Sequence, residues 1–187
     1  MEPTTLSDQE LIAYIIGAKT ATKLYHGRLT PLMLGEDSQK PHPKLAASLE
    51  LTRRLMREEI CYGPALISTR DVSAYLIAHF LGRQYESFVV IFLDSQHRVI
   101  TIDEMFRGTL SSTQVYPREV VQAALKRNAA ACIFAHNHPS GLAEPSRCDE
   151  NLTENLKRVL ALVDVRVLDH FVIGGAVAMS FAERGLL

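Results

Sequence analysis

Two hydrophobic periods alternate along this chain. Residues 86–94 read E-S-F-V-V-I-F-L-D, apolar at almost every position, as a strand covered on both faces does. The turn Ser95-Gln96-His97-Arg98 then sends residues 99–103 back against it. Residues 130–135 form a second apolar run. Residues 165–173 and 176–181, joined by Gly174-Gly175, give two more strands. Helical spacing takes over in between. Ser68 or Thr69 caps a helix over 71–81 that carries Val72, Tyr75, Leu76 and Phe80 on one side and stops at Gly82. Pro117-Arg118-Glu119 opens another, through Val120, Val121, Ala124 and Leu125 to Asn128, with proline suited to the first helical position. After Pro145-Ser146, residues Leu152, Leu156, Val159, Leu160 and Val163 recur at helical spacing. This alternation predicts an α/β fold of three layers, a mixed β-sheet flanked by helices on both faces.

Residues 1–62 follow another pattern and read as a small helical segment. Ser7 with Glu10 three residues on, flanked by Leu6 and Leu11, forms a capping box; the helix it opens runs to about Ile16 and ends at Gly17. Residues 18–43, broken by Gly27, Pro31, Gly35, Pro41 and Pro43, read as irregular. Residues 45–60 form a second helix with Leu45, Leu49, Leu51, Leu55 and Met56. Gly63-Pro64 marks the expected boundary, so the domains are read as 1–62 and 63–187.

Composition adds limits. With 47% hydrophobic and 22% charged residues the chain can bury a sizeable core. A net charge of −1 marks no polyanionic partner. The apolar runs fall well short of the ~20 residues of a membrane span, and Met-Glu-Pro-Thr-Thr does not begin a signal peptide. Cys61, Cys132 and Cys148 are scattered and odd in number, which fits a reducing cytoplasm. Cys132 reads as packing and Cys148 as a bystander.

The chemistry concentrates in residues 135–149, A-H-N-H-P-S-G-L-A-E-P-S-R-C-D. Side chains two apart on a strand point the same way, so His136 and His138 can aim at one ion from the strand's end. Pro139-Ser140-Gly141 breaks the strand, and Asp149 falls in the first turn of the next helix. Each half alone has an ordinary explanation: loop histidines, or Ser146 as N-cap with Asp149 favoured by the helix dipole. Together they make a metal site, with two imidazoles and a carboxylate leaving one coordination position of a zinc ion for water. Asp169-His170, inside an apolar strand, could bind the metal but reads more readily as a satisfied core pair or as a pair bonded behind the ligands.

His136-Asn137-His138-Pro139, followed by Ser146 and Asp149, resembles the JAMM (MPN-plus) metalloprotease signature. The segments V-Y-P-R-E-V (115–120), A-H-N-H-P-S-G (135–141), Pro145-Ser146 and R-V-L-D-H-F-V-I-G (166–174) are similar to the RadC-like branch of that superfamily. The resemblance spans about residues 63–187 and implies a JAB/MPN, cytidine-deaminase-like fold binding one zinc ion through His136, His138 and Asp149. It further implies Glu86, in Glu86-Ser87-Phe88, as catalytic acid and base; among the chain's other carboxylates Glu104, Glu119 and Glu144 are weaker rivals. Ser146 would be a donor to the developing oxyanion. Members of that branch also carry an N-terminal helix-hairpin-helix whose Gly-rich turn grips DNA phosphate. Met33-Leu34-Gly35-Glu36-Asp37-Ser38 departs from that turn by one glycine and two acids, and eight Lys/Arg against eight Asp/Glu in residues 1–60 leave no basic footprint. That part is therefore read as a degenerate remnant. The expected activity is zinc-dependent cleavage of peptide or isopeptide bonds, with a peptide or protein as partner. The alternative is a RadC-type DNA-repair-associated protein that binds DNA or a protein partner. No membrane is involved, and a homodimer stays open. A nucleobase deaminase would need His-x-Glu and Cys-x-x-Cys, which are absent. A structural zinc would show four protein ligands.

Overall fold

The computed structural model describes residues 2–35, 40–63, 68–109 and 114–187. The chain divides into two compact units, Met1–Leu55 and Met56–Leu187.

In the first unit, α1 (Asp8–Ile16) begins with the expected capping box: Ser7 accepts from the Glu10 backbone N–H while the Glu10 carboxylate accepts from that of Ser7. Residues 18–43, expected to be irregular, instead contain α2 (Ala18–Leu24) and α3 (Thr30–Met33). Gly17, at φ 88°, turns the chain directly from α1 into α2. Pro31 lies in the first turn of α3, where its missing N–H costs nothing. The prolines and glycines of this stretch therefore delimit short helices. Ile12, Ile16, Ala21, Leu32 and Leu45 bury a small core among them. Of the predicted departure from a phosphate-gripping turn, Glu36, Asp37 and Ser38 lie outside the described residues. The long helix α4 (Pro43–Tyr62) extends beyond its predicted ends. The division between the units falls within this helix, after Leu55, and Met56, Ile60 and Cys61 pack in the core of their own, second unit. Of the expected boundary pair, Pro64 is outside the described residues.

The second unit has α5 (Thr69–Phe80), capped by Ser68, then β1 (Ser87–Leu93), β2 (Val99–Arg107) and α6 (Pro117–Lys126). After these come β3 (Ala131–Asn137), α7 (Arg147–Ala161), β4 (Arg166–Gly174) and β5 (Val177–Ser180). The sheet order is β2-β1-β3-β4-β5. β3 and β4, joined through α7, run parallel; the β2–β1, β1–β3 and β4–β5 pairs are antiparallel. Every residue of β1 and β3 is buried, as expected for strands at the centre of a layered α/β sheet.

Side-chain alternation sorts the core into two layers. Val89, Ile91 and Leu93 join Ala131, Ile133 and Ala135 on the face covered by α5, through Val72, Tyr75, Leu76 and Phe80. Phe88, Val90 and Phe92 join Cys132 and Phe134 on the face covered by α6 and α7, through Val120, Ala124, Leu156 and Leu160. The three-layer α/β fold with helices on both faces is thus present. β2 runs further than the five residues expected. Its far end pairs with the start of β1, Ser87 opposite Arg107.

One register detail decides what faces α7. Between Cys132 and Ile133 the β3–β4 pairing slips: Cys132 pairs with Val167, but Ile133 pairs with Asp169. The extra residue, Leu168, reverses which β4 residues face which side from there on. His170 therefore lies opposite Phe134, on the α7 face, and Asp169 does not. Among the described residues no helix is long and apolar enough to cross a membrane.

Candidate metal centre

His136 lies near the end of β3, opposite Phe88 of β1 and Val172 of β4. His138 is just past the strand, yet its backbone N–H continues the parallel ladder to Ile173 O at 2.8 Å. Both imidazoles thus leave the α7 face of the sheet. Asp149 comes from the first turn of α7, whose N-cap is Ser146. The helix starts there because Ser146 and Asp149 form a capping box. Asp149 Oδ2 accepts from the Ser146 backbone N–H at 2.7 Å and from its hydroxyl at 2.6 Å. The Asp149 N–H donates back to Ser146 Oγ at 3.2 Å. The same carboxylate reaches the histidines, so Asp149 serves the cap and the cluster together.

The three side chains offer ligand atoms all within 4.8 Å of one another. The two Nε2 atoms are 3.1 Å apart. Asp149 Oδ1 lies 3.3 Å from His136 Nε2, and Oδ2 lies 3.7 Å from His138 Nε2. Ligands set tetrahedrally at zinc–nitrogen distances of about 2.0–2.1 Å would be roughly 3.3 Å apart. The spacing fits a divalent ion of that size, and the two Nε2 atoms and the carboxylate are suitable donors. Both Nδ1 atoms are committed elsewhere. That of His138 donates to Leu142 O at 2.9 Å, and that of His136 meets His170 Nε2 at 2.8 Å. Each ring can then turn an Nε2 lone pair to the shared point.

The electrostatics keep the Asp149 side chain ionised. Burial pushes the Asp149 carboxyl up, but hydrogen bonds with His136 and His138, the charge of His136 and the hydrogen bond from Ser146 outweigh it and hold it well below the usual carboxylate range. Asp149 in turn raises His138 against the opposing effect of burial, helped by the Leu142 carbonyl and by Glu86. Complete burial, reinforced by His136, holds His170 well below the ordinary imidazole value.

Glu86 is the residue before β1 and is half-buried. Its backbone is pinned twice, donating to Thr109 O and accepting from the Gly108 N–H, both at 2.8 Å. Asn137, between the two histidines, points to the other face and clamps Glu86 from both sides. Its Oδ1 accepts from the Ser87 N–H at 2.9 Å, and its Nδ2 donates to Tyr85 O at 3.0 Å. The sheet thereby brings Glu86 close enough for its charge to act on His138. Among the weaker rivals, Glu104 pairs with Arg83, Glu144 accepts from Arg184 at 2.7 Å on the surface, and Glu119 sits in the first turn of α6. Cys132 is buried, its thiol pushed up to about 12 by desolvation. Cys148 is exposed and stands outside the cluster.

Sequence reasoning missed Asn137, the Leu142 carbonyl and Thr153. Thr153 was findable in part: it lies one helical turn after Asp149, where a threonine hydroxyl bonds the carbonyl four residues back, and it does so at 2.6 Å. Gly174, which the sequence marks as a turn residue, has a second role. A Cβ there would stand 2.4 Å from Ala143 N and 2.5 Å from Leu142 C. The bare backbone of β4 is what lets the loop carrying Leu142 lie directly on the sheet.

A mixed sheet between helices, with this His-x-His and Asp at the junction of β3 and α7, defines a JAB-type domain. The chain belongs to the RadC-like JAB domain family, whose family model matches residues 66–186. A UPF0758 protein of Nitrosomonas eutropha is 51% identical over 203 aligned positions, covering 98% of this chain and 91% of that protein. A UPF0758 protein of Nitrosomonas europaea is 49% identical, with 97% and 90% covered. One of Herminiimonas arsenicoxydans is 57% identical over 146 residues, 78% of this chain and 65% of that protein. The 203 positions of the first alignment exceed the 187 residues of this chain, so that relative carries residues this chain lacks within the matched span.

Proposed function

We propose that this chain is a zinc-dependent hydrolase that cleaves peptide or isopeptide bonds. His136, His138 and Asp149 would hold one zinc ion, and Glu86 and Ser146 would act on the substrate and water. The observation that carries the reading is the convergence of two Nε2 atoms and a carboxylate at 3.1–3.7 Å, with both Nδ1 atoms already bonded behind them. Membership in the JAB family supports the hydrolase class.

When bound, zinc supplies a water acidified to a pKa of about 7 and polarises the carbonyl to be attacked. The Glu86 carboxylate takes the proton as the water oxygen bonds to the amide carbon. Its position beside His138, between the clamped Tyr85 and Ser87, supports that role. The carbonyl oxygen gathers negative charge, and the Ser146 hydroxyl turns from Asp149 to donate to it. The C–N bond then breaks, and the proton held by Glu86 passes to the leaving amine. The products are a carboxylate and an ammonium group, with one water consumed and both of its protons ending on the nitrogen. Asn137 keeps Glu86 in place throughout.

The test is metal content with hydrolysis. Purified chain should carry about one zinc per molecule, lost in His136→Ala. Cleavage of fluorogenic peptide and isopeptide substrates should stop on chelation and return with added zinc. Losing a ligand should weaken binding by more than the roughly 100-fold that even an outer hydrogen-bond partner can cost. A wild-type chain that takes up no zinc refutes the proposal.

A further inference from the structure

Behind His136 lies a buried chain of hydrogen bonds that returns to the opposite ligand. His136 Nδ1 meets His170 Nε2 at 2.8 Å. His170 Nδ1 meets Thr153 Oγ1 at 2.6 Å. The Thr153 hydroxyl reaches the Asp149 carbonyl at 2.6 Å. His170 is fully buried and Thr153 almost so. His170 stacks on Phe181 at 4.8 Å and meets Phe88 and Phe134 edge-on, so its ring plane is fixed.

The proton order in this chain follows from its far end. A carbonyl only accepts, so the Thr153 proton goes to Asp149 O. The Thr153 oxygen then accepts, and His170 must place its own proton on Nδ1. Its Nε2 is left with a lone pair, which accepts from the His136 Nδ1–H. His136 is thereby forced to present its own Nε2 lone pair to the cluster. Most metal-binding histidines donate this outer N–H to a carboxylate, a carbonyl or water. An imidazole can donate as readily as accept, and it accepts only if something fixes where its proton sits. Thr153 supplies that condition.

We propose that His170 is a positioning residue for the metal centre, and that Thr153, by fixing the His170 tautomer, sets the tautomer and ring plane with which His136 binds the ion. This inference rests on the metal-centre reading above. The relay also ties β3 to the first turn of α7, so ligands from two elements are held in one arrangement before metal arrives.

The experiment uses full-length, metal-free chain with zinc added against a chromophoric chelator. Thr153→Val keeps the shape and removes the hydroxyl. His170→Phe suits a pocket already lined by Phe88, Phe134 and Phe181. Both should weaken zinc binding by about 10- to 100-fold, while Thr153→Ser keeps wild-type affinity. The ring ¹⁵N shifts of His136 should report a single Nδ1–H tautomer in wild type and a mixture in Thr153→Val. Cobalt(II) absorption should change shape in the same variant. Folding is checked by the melting of each metal-free protein, and if His170→Phe fails to fold, Thr153→Val decides. Zinc affinity within about twofold of wild type in Thr153→Val overturns the relay and leaves the metal centre standing. Thr153→Ser as weak as Thr153→Val overturns it too. A wild-type chain that binds no zinc removes the centre itself.

Discussion

The two histidines of the cluster are one residue apart, yet the two halves of the site around them are built differently. The His136 half is interior. Its ring is 2% exposed, and the groups that hold it are side chains from β4 and α7. The His138 half is the rim. Its ring is 19% exposed and is held by backbone: Leu142 O on Nδ1 and Ile173 O on its own N–H. A ligand held by side chains is vulnerable to side-chain changes far away in sequence. A ligand held by carbonyls is indifferent to them but vulnerable to any displacement of the main chain.

The largest effect should come from a group that belongs to neither half. Glu86→Gln keeps the size and the backbone pins of Glu86 but removes its basicity. Turnover of a peptide or isopeptide reporter should fall by about 10²–10⁴-fold, the range for a lost general acid–base. Zinc content should stay at the wild-type level. Loss of zinc along with turnover would mean that Glu86 helps hold the ion, and the division into two halves plus a separate base would fail.

Ser146 comes next, and it carries two roles that one variant can separate. Ser146→Ala removes the hydroxyl that Asp149 N–H and Oδ2 share. As a helix cap alone it should cost about 1 kcal/mol of stability, read as a lower melting temperature with turnover intact. As a donor to the oxyanion it should also lower kcat by about 10²-fold or more. We expect both changes, with zinc affinity altered only a few-fold because the Ser146 backbone N–H still donates to Asp149 at 2.7 Å. Unchanged kcat would return Ser146 to the cap.

The same contrast explains what could be read from the sequence. The rim half is local: His138, the turn after it, Ser146 and Asp149 lie within a dozen residues, where strand alternation and helix-start rules apply. The α/β alternation was legible for the same reason, since each strand and helix of the second unit announces itself by period. The interior half is not local. His170 is 34 residues from His136 and 17 from Thr153, and no spacing rule joins them. The slip between Cys132 and Ile133 made matters worse. Strict alternation along β4 would have put Asp169 on the metal face in place of His170. In the first unit, Gly17 does end α1 as its position predicts, but it also starts α2, and Pro31 lies in the first turn of α3 where the pattern predicts irregular chain. Propensity reports where a helix cannot continue, and it is silent on whether the packing of Ile12, Ala21 and Leu32 makes another one worthwhile.

The smallest effects test the rim directly. Gly174 is where the loop over residues 141–143 touches β4, and a methyl group there would stand 2.4–2.7 Å from three of its backbone atoms. Neither partner is a flexible side chain that can turn away, so Gly174→Ala should push the loop outward at a cost of about 1–3 kcal/mol. The Leu142 carbonyl moves with the loop, and His138 Nδ1 loses its acceptor. Zinc affinity should then fall by about tenfold, the lower end for an outer hydrogen-bond partner. Leu142→Ala is the matching control. That side chain is 69% exposed, and what His138 uses is its carbonyl. Truncating it leaves the backbone where it is, so the zinc dissociation constant should stay within about twofold of wild type. If Leu142→Ala weakens zinc as much as Gly174→Ala, the rim is held by a side chain after all, and the distinction between the two histidines disappears.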